Sequence, residues 1–149
     1  MSDAIIPEVE SLIRVCRDSE ELFRHGASLL HSGKVKSFLL EIADRRRDFL
    51  SELQNEAVAF GESQPTGSGS VVGTVQRGWT KLRDSITPPT DKTILEECES
   101  HEDQVLKAYR AAVELTSLPD ALRDVIARQY TEVAAARRNM RDLRNLSGS

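Results

Sequence analysis

Five polar side chains stand at positions where an apolar, core-facing residue would be expected, and together they could do chemistry. The apolar residues of this sequence recur every three or four positions, and the five exceptions are Glu20, Arg45, Glu102, Gln129 and Glu132. Carboxylates in an apolar interior either bind a hard metal ion such as iron or manganese, or pair with a buried cation. Either use requires that the segments carrying them bring these residues to one level.

Counting residues from the two chain reversals places the carboxylates near a common level. A first turn near residues 32 and 33 puts Glu20 opposite Arg45. A second turn near residues 117 and 118 puts Glu102 opposite about residue 133, beside Glu132. An error of two residues moves a side chain by only about 3 Å along a helix. The sequence therefore predicts one buried polar layer, in which Arg45 bridges Glu20 and Glu102 while Gln129 completes the hydrogen bonds.

A metal site is the alternative use of this layer, with the candidate ligands Glu20, Glu99, Glu102 and Glu132. Ferritin-like di-metal bundles use a Glu from each of two helices and a Glu-x-x-His from each of the other two. The sequence contains no Glu-x-x-His, and Arg45 would put a fixed positive charge where the ions would sit. The histidines also lie off the predicted inner stripes or at a helix end; they are His25, His31 and His101. The sequence thus favours no metal or other cofactor, with iron or manganese as the alternative.

Four long segments of helical periodicity must position these residues. They span about 3–30, 34–60, 91–116 and 119–143, and a shorter amphipathic helix with Trp79 on its apolar face spans about 71–86. Thr90 is the predicted N-cap of the third long helix. The predicted inner stripe of the second helix is Val35, Phe38, Ile42, Phe49, Leu53, Ala57 and Phe60. Residues 1–149 are expected to form a single domain, since this length buries a core without disulfides or metals.

The connections between the helices predict their order in space. Short turns join the first helix to the second and the third to the fourth, so each pair is expected to be antiparallel. About thirty residues separate the two pairs, which is enough to return along the whole bundle and make the third helix parallel to the second. This is the ferritin-like connectivity. We therefore predict an all-α, ferritin-like four-helix bundle whose long crossover carries the short helix.

Composition narrows the class of partner and the compartment. The net charge is −4, and the arginines of the fourth helix alternate with acids, so neither a nucleic acid nor a membrane is expected as a partner. Cys16 and Cys98 lie on apolar stripes on opposite sides of the polar layer, too far apart for a disulfide. Together with the absence of a signal peptide or spanning segment, these thiols predict a cytoplasmic protein.

Several motifs identify a family resemblance that extends from Ile5 to Arg144. They are Leu12-Ile13-x-Val15-x-x-Asp18-x-Glu20-x-x-Phe23, Arg45-x-x-x-Phe49-x-x-Glu52-Leu53, Arg77-Gly78-Trp79, Ile94-Leu95-Glu96-Glu97-Cys98-Glu99-x-x-Glu102-Asp103, Leu106-Lys107-x-Tyr109, Leu118-Pro119 and Arg128-Gln129-Tyr130. They resemble a bacterial family of ferritin-like four-helix-bundle domains of unknown function. The resemblance implies the fold more than an activity. Members often have a His in the last helix about where this sequence has Arg137, which cannot ligate a metal.

Three functions remain open at this point. The leading one is a non-enzymatic, stress-related or interaction module of the bacterial cytoplasm, whose partner is another protein or a second copy of the chain. The second is a metal-binding or oxidase protein that uses the interior carboxylates. The third is an adapter that dimerises through an exposed helix face or the Trp79 helix. If the polar layer is structural, we expect Arg45→Leu to cost about 3 to 5 kcal/mol of stability.

Overall fold

Four long helices make up the regular structure of the described part of the chain. The structure is a computed structural model that describes residues 5–59, 88–115 and 117–147. The helices are α1 (Ile5–Leu29), α2 (Gly33–Ala59), α3 (Asp91–Val113) and α4 (Asp120–Leu146). Their bounds differ from the predicted ones by at most three residues. The predicted loop 61–70, the predicted helix 71–86 and Trp79 lie outside the described residues.

Contacts at the helix starts explain where the chain turns. The side chain of Thr90 accepts a hydrogen bond from the backbone N–H of Thr93 at 3.1 Å, which confirms Thr90 as the N-cap of α3. The carboxylate of Asp91 accepts hydrogen bonds from the backbone N–H groups of His31 and Ser32, at 2.8 and 3.0 Å. The start of α3 is therefore joined to the turn between α1 and α2.

This link sets the direction of the helices. Because α3 starts where α2 starts, the two run parallel, and the chain between them must return over about 40 Å. Contacts between side chains show that α1 is antiparallel to α2 and to α3, and that α4 is antiparallel to α2 and to α3. In cross-section, α1 and α4 occupy opposite corners of the bundle. The predicted connectivity with one long crossover is confirmed.

Two apolar clusters fill the bundle, one toward each end. The cluster around Cys16, Phe49 and Tyr109 lies where α1 begins, and the cluster around Phe23 and Cys98 lies where α1 ends. In the second cluster Gly26 lets three helices approach, since a Cβ there would lie 3.3 Å from Cγ2 of Ile94. The polar interior described below lies between the clusters. Within the described ranges, none of the helices is long and apolar enough to span a membrane.

Candidate functional site

An arginine and a glutamate form an ion pair at the centre of the bundle. Arg46 on α2 donates from both terminal nitrogens to the two carboxylate oxygens of Glu102 on α3, each at 2.5 Å. Their side chains are 2% and 0% exposed. Such a two-point contact fixes both the distance and the orientation of the two helices. Glu102 thus lies in the interior, where the sequence places it, but its partner is Arg46.

Aromatic rings and a hydroxyl surround the buried guanidinium. The central carbon of the Arg46 guanidinium lies 5.5 Å from the ring centre of Phe23 and 5.7 Å from that of Phe49. The Oγ of Ser19 lies 3.4 Å from Nη1 and accepts its hydrogen. Burial acts to lower the pKa of Arg46, but the charge and hydrogen bonds of Glu102 outweigh it and raise this pKa above its ordinary value. The cation therefore stays charged in an apolar setting.

His101 also faces the interior. The sequence-based prediction that it lies off the inner stripe is therefore wrong. It is 8% exposed, its Nε2 lies 2.8 Å from Oγ of Ser19, and its ring packs edge-on against Phe23 at 5.6 Å. Burial, followed by the charge of Arg46, lowers the pKa of His101 to about 3, so the ring is neutral near pH 7. Because the Ser19 hydroxyl donates to the backbone carbonyl of Val15 at 2.7 Å, Nε2 carries the hydrogen and donates to Ser19.

A second set of buried polar side chains lies beside the Arg46–Glu102 pair, toward the start of α1. The hydroxyl of Tyr109 donates to Oε1 of Gln129 at 2.6 Å, and Nε2 of Gln129 donates to the backbone carbonyl of Phe49 at 3.2 Å. Sγ of Cys16 lies 3.2 Å from the Tyr109 oxygen, whose hydrogen is already used, so the thiol donates to it. Gln129 is fully buried, at the depth that the sequence indicates.

Arg46 is the middle member of three consecutive arginines that contact the three other helices. Arg45 pairs with Glu132 of α4, with Nε to Oε2 at 2.8 Å, and Arg47 pairs with Glu20 of α1, with Nε to Oε2 at 3.0 Å. Glu20, Glu102 and Glu132 therefore do meet α2 at one level. They meet three separate arginines there, and Arg45 does not bridge them.

The structure therefore corrects the predicted layer at three of its positions. Arg45 is 43% exposed at the α2–α4 edge, and the side chain of Glu20 faces the α1–α2 edge, where Arg24 also binds it. The interior positions on these helices belong to Arg46 and Ser19. The sequence carried a signal for Ser19, because it lies three residues after Cys16 and four before Phe23, both of which are buried. Glu132, 40% exposed, also lies at an edge and not inside.

The four carboxylates of the alternative metal site do not converge. Glu102 is engaged by Arg46, while the other three lie at separate edges of the bundle with partners of their own. Glu99, for example, pairs with Arg144 of α4. Among the described residues no group of three His, Cys, Asp or Glu side chains could hold a metal ion. A guanidinium at the centre is the wrong charge for a di-metal site, so the residues present do not fit one.

The two cysteines are buried free thiols in different apolar clusters. Burial raises the pKa of Cys16 to about 11, and burial, with the charge of Glu102 next, raises the pKa of Cys98 still further above its ordinary value. Neither thiol is a nucleophile near pH 7, because the thiolate is the reactive form. Their role in this interior is to pack.

The four-helix arrangement places the chain in a known class of folds. Superposition on a solved structure of a Mycobacterium smegmatis Dps1 mutant gives a TM-score of 0.77, over 95% of this chain and 98% of that chain, at 15% sequence identity. At this identity the likeness concerns the fold alone. The protein is a ferritin-like four-helix bundle, as the connectivity predicts.

A family comparison narrows the class further. Residues 4–115, well over half of the chain, match the family described as Domain of unknown function (DUF2383). The chain belongs to this family, which confirms the resemblance seen in its motifs. The matched range contains α1, α2 and α3, and thus Arg46, Glu102 and His101. No curated protein matches the chain.

Proposed function

We propose that this protein is a non-enzymatic interaction module whose interior ion pair takes the place of a di-metal centre. The observation that carries the proposal is the two-point contact between Arg46 and Glu102 at the centre of the bundle. A buried charge persists only when it is paired and hydrogen-bonded, and these two residues supply that pairing to each other. The interior then serves to hold the four helices in one register.

The chemistry of the remaining interior groups supports a structural role. The polar atoms of Ser19, Tyr109 and Gln129 are occupied by one another, by side chains of neighbouring residues or by backbone carbonyls; the neighbours are His101, Cys16, Arg46 and Glu52. Burial raises the pKa of Tyr109 well above its usual value, so the phenol holds its proton. General acid–base catalysis near pH 7 works best with a group whose pKa lies close to that pH. The interior offers none among these groups.

The arginines of α4 support a protein partner over a nucleic acid. Arg128 pairs with Glu52, Arg137 with Asp103, and Arg144 with Glu99. A phosphate-binding face needs cations that are free to meet the backbone of the nucleic acid, and these three of the six arginines of α4 are engaged within the bundle. The exposed Arg138 and Arg141 stand among acids of the same helix, such as Asp142, which offset their charge. The partner in our proposal is therefore a protein, either another chain or a second copy.

The setting we propose is the cytoplasm of a bacterium, with a stress-related role. Two buried thiols that remain unpaired are typical of a reducing compartment. The bacterial source in this proposal rests on the family resemblance, and the stress association is an extension from the ferritin-like superfamily.

Metal analysis of the purified protein tests the proposal against the metal-binding alternative. The protein is analysed as isolated, and again after anaerobic loading with iron(II) or manganese(II) and desalting. We expect far less than one metal ion per chain in each sample, and no rise in Tm when the metal is added, since a ligand that binds the native state raises Tm. Near-stoichiometric iron or manganese that depends on Glu102 would overturn the proposal.

Two matched variants locate any metal that is found. Glu102→Gln removes the interior carboxylate, and Glu132→Gln removes a half-exposed one on α4. If Glu132→Gln retains the metal and Glu102→Gln does not, the ion lies at the centre of the bundle, and the oxidase alternative is revived. Retention by both would assign the metal to another part of the chain, which leaves the structural role of the Arg46 interior intact.

A further inference from the structure

An apolar pocket opens at the end of the bundle where α2 starts and α4 ends. It has a volume of about 250 Å³ and is lined by Lys34 and Phe38 from α2 and by Asn139, Asp142 and Leu143 from α4. The walls are mostly apolar, because Phe38 and Leu143 are only partly covered by the cluster beneath them. The volume exceeds that of a leucine side chain.

A large apolar side chain stands next to this pocket without covering it. Leu146, in the last turn of α4, is 82% exposed. It lies three, four and seven residues after Leu143, Asp142 and Asn139, so it continues the stripe of α4 that lines the pocket. The same end of the molecule thus carries both an apolar projection and an apolar recess.

The charges around these two features are complementary. Asp142 precedes Leu146 by one helical turn, so any helix end that presents Leu146 also presents an acid. The recess has Lys34 on its α2 side and Asp142 on its α4 side, so a two-fold axis that faces two recesses can set the lysine of each copy against the acid of the other. Neither Lys34 nor Asp142 forms an ion pair with another residue of the described ranges.

We propose that this surface binds a second copy of the chain about a two-fold axis. Leu146 of each copy enters the recess of the other, and Lys34 of the receiving copy meets Asp142 of the entering helix. A surface that contains both a projection and its recess is self-complementary, as a two-fold interface requires. The inference deepens the proposed interaction module by naming its partner, but its residues share none with the Arg46 interior.

The size of the surface sets the strength of the dimer. One leucine and one recess per copy cover much less than the roughly 1,200 Å² of a stable interface. The dimer is therefore weak, and its population depends on concentration between about 10 µM and 1 mM.

Sedimentation velocity over that concentration range, on the full chain, tests the proposal. We expect the wild-type protein to shift from monomer to dimer and Leu146→Glu to remain monomeric, because a buried carboxylate would face the apolar recess of its partner. Val58→Glu is the matched control, since Val58 is an exposed apolar residue at the opposite end of α2 and should leave the dimer intact. Wild-type protein that stays monomeric at 1 mM, or a dimer that survives Leu146→Glu, would overturn the proposal.

Charge reversal provides a second, independent test that does not touch the apolar contact. We expect Lys34→Asp and Asp142→Lys each to weaken the dimer several-fold, and the double variant to recover it. An additive loss in the double variant would overturn the predicted contact between the two side chains. These outcomes concern only the dimer, whereas metal binding tests only the interior, so either proposal can fail without the other.

Discussion

Arg45 and Arg46 are neighbours in sequence, and each pairs with a glutamate of another helix, yet water reaches only one of the two pairs. The side chains of Arg45 and Glu132 are 43% and 40% exposed, while those of Arg46 and Glu102 are 2% and 0% exposed. The bond lengths are similar, at 2.8 Å and 2.5 Å. The difference between the pairs is therefore their surroundings and not their chemistry.

Solvent decides what each pair contributes to stability. At the surface, water screens the charges and also solvates either partner if the other is removed, so an exposed pair is worth about 1 kcal/mol or less. In the interior, loss of one partner leaves the other charge buried without compensation. A buried pair is thus poor evidence of large net stabilisation, but it is costly to break. Four predictions test this distinction, beginning with the largest expected effect.

Breaking the interior pair should have the largest effect. We expect Arg46→Leu to lower the free energy of unfolding by about 3 to 5 kcal/mol, because Glu102 is left buried without its partner. Urea denaturation followed by circular dichroism measures the change.

A double variant separates the cost of breaking the pair from the value of the pair itself. Arg46→Leu with Glu102→Leu removes both charges and should recover most of the loss. If the double variant is as unstable as the single one, packing of the long side chains and not charge would explain the effect.

The neutral histidine of the same interior should make stability depend on pH. An unfolded chain protonates His101 near pH 6.5, whereas the folded chain does so only at about 3. Between these values the unfolded state holds more protons, so the free energy of unfolding falls as pH falls, by up to about 1.4 kcal/mol per pH unit. His101→Asn should reduce this slope between about pH 6.5 and 4.5. Equal slopes in the two proteins would show that His101 binds its proton at the same pH in the folded and unfolded chains, which would contradict a buried neutral ring.

The second buried polar group should be less costly to disturb. Tyr109→Phe removes the hydroxyl that donates to Gln129 and leaves the amide oxygen without its donor. We expect the free energy of unfolding, measured by urea denaturation, to fall by about 1 to 3 kcal/mol. The loss is smaller than for Arg46→Leu because no charged group is left buried without a partner. A loss below about 0.5 kcal/mol would mean that water or the Cys16 thiol replaces the missing donor.

The surface pairs should have the smallest effect. Arg45→Leu and Arg47→Leu should each cost less than about 1 kcal/mol, since both arginines are exposed or half-exposed. This replaces the value of about 3 to 5 kcal/mol that the sequence alone suggests for Arg45→Leu. A large loss at Arg45 would remove the contrast with Arg46, and would show that the α2–α4 edge excludes water.

The helix order could be predicted from the sequence because it depends on few features. The short turns, the cap at Thr90 and the long crossover leave one arrangement of four amphipathic helices. The level of the polar layer followed from counting residues from the turns, since Glu20, Glu102 and Glu132 do reach three adjacent arginines.

Which residues in the middle of α2 face the core could not be predicted in the same way. The large side chains Phe38 and Ile42 suggest a core stripe, whereas the structure buries Leu39 and Ala43 and leaves Phe38 and Ile42 half-buried toward α4. One residue corresponds to about 100° of rotation. Val35, Phe49, Leu53 and Ala57 are buried as predicted, so the difference is confined to the middle of α2, where Arg46 takes the inner position instead of Arg45.

His101 is a second residue whose burial could not be predicted from the sequence. It lies three residues after Cys98 and four before Val105, so the helical pattern allows it to face inward. A histidine at such a position can be buried only if something accepts its hydrogen and packs on its ring. Ser19 and Phe23, which do so, come from a different helix.

Periodicity, caps and turn lengths are local, and for this reason the four helices, their order and the level of the polar groups could be predicted from the sequence. Which of three adjacent arginines is buried, and which carboxylate it binds, is evident only in the folded bundle. That choice depends on how closely three other helices approach α2, and this approach is a property of packing between segments distant in sequence.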